Sequence, residues 1–158
     1  YKEGKMKKLK NILLAFTMLF VVVLTTACSD GTKKRVFVKD VDGQKTTITY
    51  VYNEKEDKVL KQLTTNEGIY DKLNPPMTKE EVKKIIDKEI EETKGIKGLN
   101  VTVEYKEDRF IESLEVDLEN LDYEKAKNYL SIQDPKKVRV SMKVSAEIMY
   151  NQGYKEQK

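Results

Sequence analysis

The side chains able to do chemistry in this chain are few in kind. Its 158 residues include a single cysteine, Cys28, and no histidine. Without imidazole, the commonest general base at neutral pH and the commonest metal ligand are both missing. A lone thiol excludes a CxxC redox pair and zinc held by clustered thiolates. Ser29, Ser113, Ser131, Ser141 and Ser145 have no histidine to activate them, and neither an SxxK pair nor a glycine-rich phosphate loop occurs. Asp40-Val-Asp42-Gly43 has the start of a calcium loop but lacks the third acidic ligand and the closing glutamate. It reads as a hairpin turn with charged shoulders. The expectation is a protein with no catalysis, no cofactor and no metal.

The remaining chemistry belongs to the thiol of Cys28. Lys5, Lys7, Lys8 and Lys10 precede an apolar core from Ile12 to Leu24, and Thr25, Thr26 and Ala27 lead to the cysteine. A basic start, a short apolar stretch and small residues make a secretory signal. Thirteen helical residues reach about 20 Å, short of a hydrocarbon core of about 30 Å, so a removed signal is favoured over a transmembrane anchor. Small residues directly before Cys resemble a bacterial lipoprotein signal. The resemblance implies a diacylglyceryl group on Cys28, cleavage between Ala27 and Cys28, and a further acyl chain such as palmitate on the new amino terminus. Thr25 stands where the usual motif has leucine. Residues 1–27 are then the signal peptide, 28–34 a lipidated tether and 35–158 one domain. Residues 1–5 are expected to be untranslated, with the start at Met6, because Lys2-Glu3-Gly4 can be encoded by a sequence like a ribosome-binding site.

The formal charge of +3 is distorted by the signal. Residues 1–27 hold five lysines and one glutamate, which leaves 25 basic and 26 acidic residues, or −1. A chain so balanced, with charges interleaved, is no nucleic-acid binder. Its length suits a single domain with its own core, and an acylated Cys28 leaves no disulfide to form.

The elements read as α+β. Arg35–Val41 suits a strand, Asp42-Gly43 a tight turn, and Gln44–Tyr52 a second strand rich in β-branched and aromatic residues. Lys58–Thr65 completes an antiparallel meander with one wet face. After Asn74-Pro75-Pro76, Thr78-Lys-Glu-Glu81 makes a capping box, and Val82, Ile85, Ile86 and Ile90 share a helical face. Glu80, Glu81, Glu89, Glu91 and Glu92, interleaved with lysines, read as its solvated face. Val101 to Tyr105 and Leu114 to Leu118 alternate as a second hairpin, and Asp122 caps a short helix. Val138 to Tyr150 alternates like a strand. Ser141 as an N-cap and Gly153 as a C-terminal glycine favour a helix there instead. Tyr154–Gln157 suits a return to the sheet. The sum is an antiparallel sheet of five to six strands, in two hairpins or a meander, against two to three helices.

The chain resembles the YehR-like lipoproteins. The resemblance rests on the lipoprotein signal, Thr46-Thr-Ile-Thr-Tyr-Val-Tyr52, Thr78-Lys-Glu-Glu81, Gly95-Ile-Lys-Gly98 before a strand, and Gln152-Gly-Tyr-Lys155, in that order along nearly all of the mature chain. It implies an α+β domain on the outside of the cytoplasmic membrane or in the periplasm. It implies no activity.

The functional expectation is a lipid-anchored envelope module that binds a protein, peptide or small solute. The alternatives are a solute-binding lipoprotein for a transporter, a structural envelope protein, and a signal peptide trimmed to a pheromone-like fragment, Phe20–Ala27. Of the nine tyrosines, Tyr50, Tyr52, Tyr105 and Tyr123 are expected to pack in the core, with a ligand groove as the alternative.

Overall fold

The computed structural model describes residues 31–158. Cys28, the cleavage residues Thr25, Thr26 and Ala27, and the start at Met6 lie outside the described residues.

Strands β1 (Thr32–Val41), β2 (Gln44–Asn53) and β3 (Lys58–Ile69) form the meander. Asp42 and Gly43 take φ of 53° and 77°. Two positive φ values in succession suit the twist of a two-residue hairpin, and glycine adopts one without steric cost. β1 begins three residues before the expected Arg35, because Thr32, Lys33 and Lys34 pair with Asn53, Tyr52 and Val51. The tether expected over 28–34 is thus shortened by residues that belong to the sheet.

Helix α1 (Lys79–Thr93) starts at Thr78, whose side chain accepts from Glu81 N while Glu81 accepts from Thr78 N. Both otherwise orphaned donors at the helix start are satisfied. Strands β4 (Leu99–Tyr105) and β5 (Arg109–Asp117) form the second hairpin. Helix α2 (Tyr123–Ala126) is capped by Asp122. Helix α3 (Met142–Asn151) replaces the strand that strict alternation would allow. Strand β6 (Lys155–Gln157) then returns to pair with β1.

The sheet order is β4-β5-β3-β2-β1-β6, antiparallel throughout. With three helices on this sheet the fold is α+β, as expected. A register shift between Val51 and Tyr52 gives β3 one extra residue, so Val59 and Gln62 oppose Tyr52 and Tyr50. Gly68 lies beneath the Phe110 ring, where a Cβ would come within 2.4 Å of Cε1. Only glycine lets that ring lie on the strand.

The covered face carries two apolar clusters. The larger joins Phe37, Ile48, Tyr50, Leu114 and Val116 to Ala146 and Met149 of α3. The smaller joins Phe110 and Tyr70 to Val82, Ile85 and Ile86 of α1. Arg35 ties the short β6 in place through two 2.8 Å bonds to the Glu156 carboxylate. No helix among the described residues is long and apolar enough to cross a membrane.

Candidate functional site

A polar row crosses the covered face between the two clusters. Thr46 of β2 lies opposite Asn66 of β3, and Asn66 lies opposite Glu112 of β5. Thr46 Oγ1 donates to Asn66 Oδ1 at 2.8 Å, and Asn66 Nδ2 donates to Glu112 Oε2 at 3.2 Å. Tyr154 closes the row beside Thr46, and burial pushes its hydroxyl up to about 12. Glu112 is 2% exposed. Burial, reinforced by the neighbouring Glu89, pushes its carboxyl up to about 8, against the Asn66 bond that opposes the shift. A buried acid near a like charge keeps its proton, because ionisation would place a second charge where water cannot solvate it.

Glu89 corrects the sequence expectation. It is 3% exposed and lies on the buried stripe of α1 with Val82, Ile85 and Ile86, not on the solvated acidic face. Both carboxyl groups line a cavity of about 10 Å³, room for about one water. The periodicity carried the signal. Glu89 stands seven residues after Val82, and Glu112 alternates with Phe110 and Leu114, so each occupies a core-facing position. Among the described residues, no three acidic, cysteine or histidine side chains are placed to hold a metal ion.

The second feature is a groove of about 490 Å³ between α3, the segment 130–141 and the sheet. Its floor includes Ile48, Tyr50, Gln62 and Val116. Its walls include Ile132, Val138, Val144 and Ile148. Val138, Val144 and Ile148 are exposed by 47%, 53% and 45%, an unusual concentration of apolar side chains at one opening. The volume falls within the range of about 300–1,000 Å³ typical of ligand pockets.

Local chemistry holds the groove open. Ser141 Oγ accepts from Val144 N at 3.2 Å and donates to Asp57. Asp57 Oδ1 accepts from Lys143 N at 3.0 Å, and Val140 O accepts from Val59 N at 2.8 Å. The start of α3 is thereby fixed to the β2–β3 turn. Phe37 packs edge-on against Tyr50 and Tyr150 beneath α3, at 5.8 and 5.6 Å. On the opposite side, the Tyr123 hydroxyl donates to Ile132 O at 3.0 Å and fixes the other wall.

The tyrosines divide accordingly. Tyr50 is in the core and also lines the groove floor. Tyr52 and Tyr123 pack at the core margin. Tyr105 packs against the smaller cluster and donates to Asp87 Oδ1 at 2.7 Å.

An open, one-sided antiparallel sheet covered by three helices defines an α+β domain with a lateral groove. The family model described as "Protein of unknown function (DUF1307)" matches residues 32–155. The chain belongs to this family, that of the YehR-like lipoproteins. It is 34% identical over 154 residues to "Uncharacterized lipoprotein Lin0239" of Listeria innocua, covering 96% of this chain and 98% of that one. The match to "Uncharacterized lipoprotein Lmo0207" of Listeria monocytogenes has the same identity and coverage. The NMR structure of Escherichia coli YehR superposes with a TM-score of 0.66 at 27% identity, over 82% of this chain and 94% of that chain. A Streptococcus pneumoniae protein solved by NMR shares the fold, with a TM-score of 0.56 at 17% identity over 89% of this chain and 94% of that chain.

Proposed function

We propose that this protein is a membrane-anchored, extracytoplasmic binding module without catalytic activity, and that the groove between α3 and the sheet is its binding site. The carrying observation is the cluster of Val138, Val144 and Ile148 at the mouth of a 490 Å³ groove. Leaving these side chains in water forgoes roughly 25 cal/mol for each Å² of apolar surface that an occupant would cover. Most of the surface lining the groove is apolar, although Gln62, Gln133, Gln152 and Arg139 also line it, so a largely apolar ligand fits it better than a wholly polar solute. The single sheet also has no second lobe among the described residues to close over a solute, which disfavours delivery to a transporter.

The anchor is the lipid on Cys28, exposed by signal cleavage after Thr25-Thr26-Ala27. The lipoprotein relatives support this reading. Cys28→Ala will abolish labelling by an alkyne fatty acid and leave the precursor uncut. A variant that still carries an acyl chain and stays on the membrane defeats the anchor. Binding is tested with an apolar fluorescent probe. The native chain will bind it saturably, and Ile148→Asp will weaken binding at least tenfold while circular dichroism stays unchanged. Equal binding by both chains refutes the groove.

A further inference from the structure

The surroundings of the groove specify what enters it. Residues 134–143 carry Lys136, Lys137, Arg139 and Lys143 against Asp134 alone, a local +3 on a mature chain of −1. Lys136, Lys137 and Arg139 are exposed, and Arg139 lines the groove. Among the described residues, none of these three lies in an ion pair. Asp57 is bonded to the Ser141 hydroxyl and the Lys143 amide, and the charges of Lys143 and Arg139 also act on its carboxylate, whereas no such partner offsets Lys136 and Lys137 among the ion pairs of the described residues. A mostly apolar groove with Arg139 in its lining and Lys136 and Lys137 just before Val138 in the chain is complementary to an amphiphile with an anionic head.

The position relative to the tether narrows the source. Thr32, the first residue of β1, pairs with Asn53 at the end of β2. The turn that follows holds Asp57, which fixes Ser141 and Lys143. The basic lip therefore lies at the end of the sheet where the chain enters from its amino-terminal side. Cys28 precedes Thr32 by four residues, so extended chain geometry limits their separation to about 14 Å. The end of the sheet to which Asp57 fixes Ser141 and Lys143 is thus the end that the short tether leads into.

We infer that the groove accepts one acyl chain of an anionic membrane phospholipid, whose phosphate is held by Lys136, Lys137 and Arg139. The inference rests on the lipid-anchored reading above. Val138, Val144 and Ile148 are exposed because their partner is the lipid chain. The basic lip selects the head group, since cations near a surface favour anionic lipids.

The test uses the lipidated protein, reconstituted into vesicles of phosphatidylglycerol that carries a photoactivatable group on one acyl chain. After irradiation, adducts are mapped by digestion and mass spectrometry. Adducts will concentrate on residues 138–140 and 144–148. Val144→Asp with Ile148→Asp will reduce them at least fivefold, and both positions are exposed enough to leave the fold intact. Phosphatidylcholine with the same photogroup will give at least threefold fewer adducts. Lys136→Glu, Lys137→Glu and Arg139→Glu together will bring phosphatidylglycerol down to that level. Adducts confined to residues 28–34, or indifferent to the double variant, overturn the inference while leaving the anchor standing. Suppression of the lipid adducts by an apolar peptide added at equimolar amounts before irradiation also overturns it, because the groove would then prefer a peptide. An intact mass lacking an acylated Cys28 counts against the anchor alone. The groove is then judged by the same adduct map on vesicles mixed with the unlipidated chain.

Discussion

Glu112→Gln isolates the cost of burying the acid at the centre of the sheet. In the folded protein this carboxyl is pushed from 4.5 to about 8, so the folded state holds a proton that the unfolded chain has released. Stability from a raised acid is complete below 4.5 and is lost as pH rises towards about 8. The slope is about 1.4 kcal/mol per pH unit, and the ceiling over that window is on the order of 5 kcal/mol. Relaxation around the charge and entry of water lower the ceiling, so the expected fall between pH 5 and 8 is about 3 kcal/mol. Glutamine keeps an oxygen for Asn66 Nδ2 and cannot ionise. The variant should match the native chain near pH 5 and exceed it by about 3 kcal/mol at pH 8. Urea unfolding of residues 29–158 reads this directly. With a slope of about 1.5 kcal/mol per M, the native midpoint drops by about 2 M across the range while that of Glu112→Gln stays level. A native chain whose midpoint does not fall between pH 5 and 8 refutes the reasoning. So does a variant that keeps the native slope.

Other perturbations test other parts of the structure. Thr64 is fully buried opposite Ile48 and Leu114, and its hydroxyl has no hydrogen-bond partner among the described residues. Thr64→Val should therefore stabilise by about 1 kcal/mol in urea, and a destabilised variant would reveal a bond to that hydroxyl. Arg35 holds the Glu156 carboxyl down to about 2, so this pair contributes stability above 4.5 that is lost as pH falls towards 2. Arg35→Ala should raise amide exchange in Lys155–Gln157 at least tenfold and remove that acid-side fall; unchanged exchange would mean backbone pairing alone holds β6. Residues 29–158 made without the signal should fold as a soluble monomer, because both clusters close among the described residues. A molten or aggregated product contradicts that closure.

Local chemistry made much of the fold readable. The capping box at Thr78 and Glu81, the Asp42-Gly43 turn and the alternation in β2 and β5 each act within a few residues. Their outcome does not depend on the rest of the chain. The signal, the balanced charge and the narrow chemical repertoire are likewise properties of composition and order. Glu89 departs from the expected solvated face for a related reason. Its charge suggested solvent, although its spacing from Val82 placed it on the buried stripe. Periodicity reports orientation, whereas residue type reports only average preference, and the two conflict where a polar group is buried.

The sequence by itself determined the class of the fold, the elements of the meander and α1, and the absence of imidazole and of a thiol pair. These follow from backbone preferences and side-chain inventory, which are local. Ser141 and Gly153 favour a helix over residues 142–151 in the sequence, but the alternating pattern also suits a strand, and the tertiary structure resolves the conflict. Asp57, more than eighty residues earlier in the chain, meets Ser141 and Lys143 and fixes that helix start. The groove and the polar row are also products of assembly. The groove exists because α3 and the segment 130–141 are held apart over a shared floor. The Glu112 acid is raised chiefly because the assembled core buries it away from water, and further because α1 brings Glu89 beside it. Neither distance is encoded in any short stretch of sequence, because each is set by the packing of elements remote along the chain.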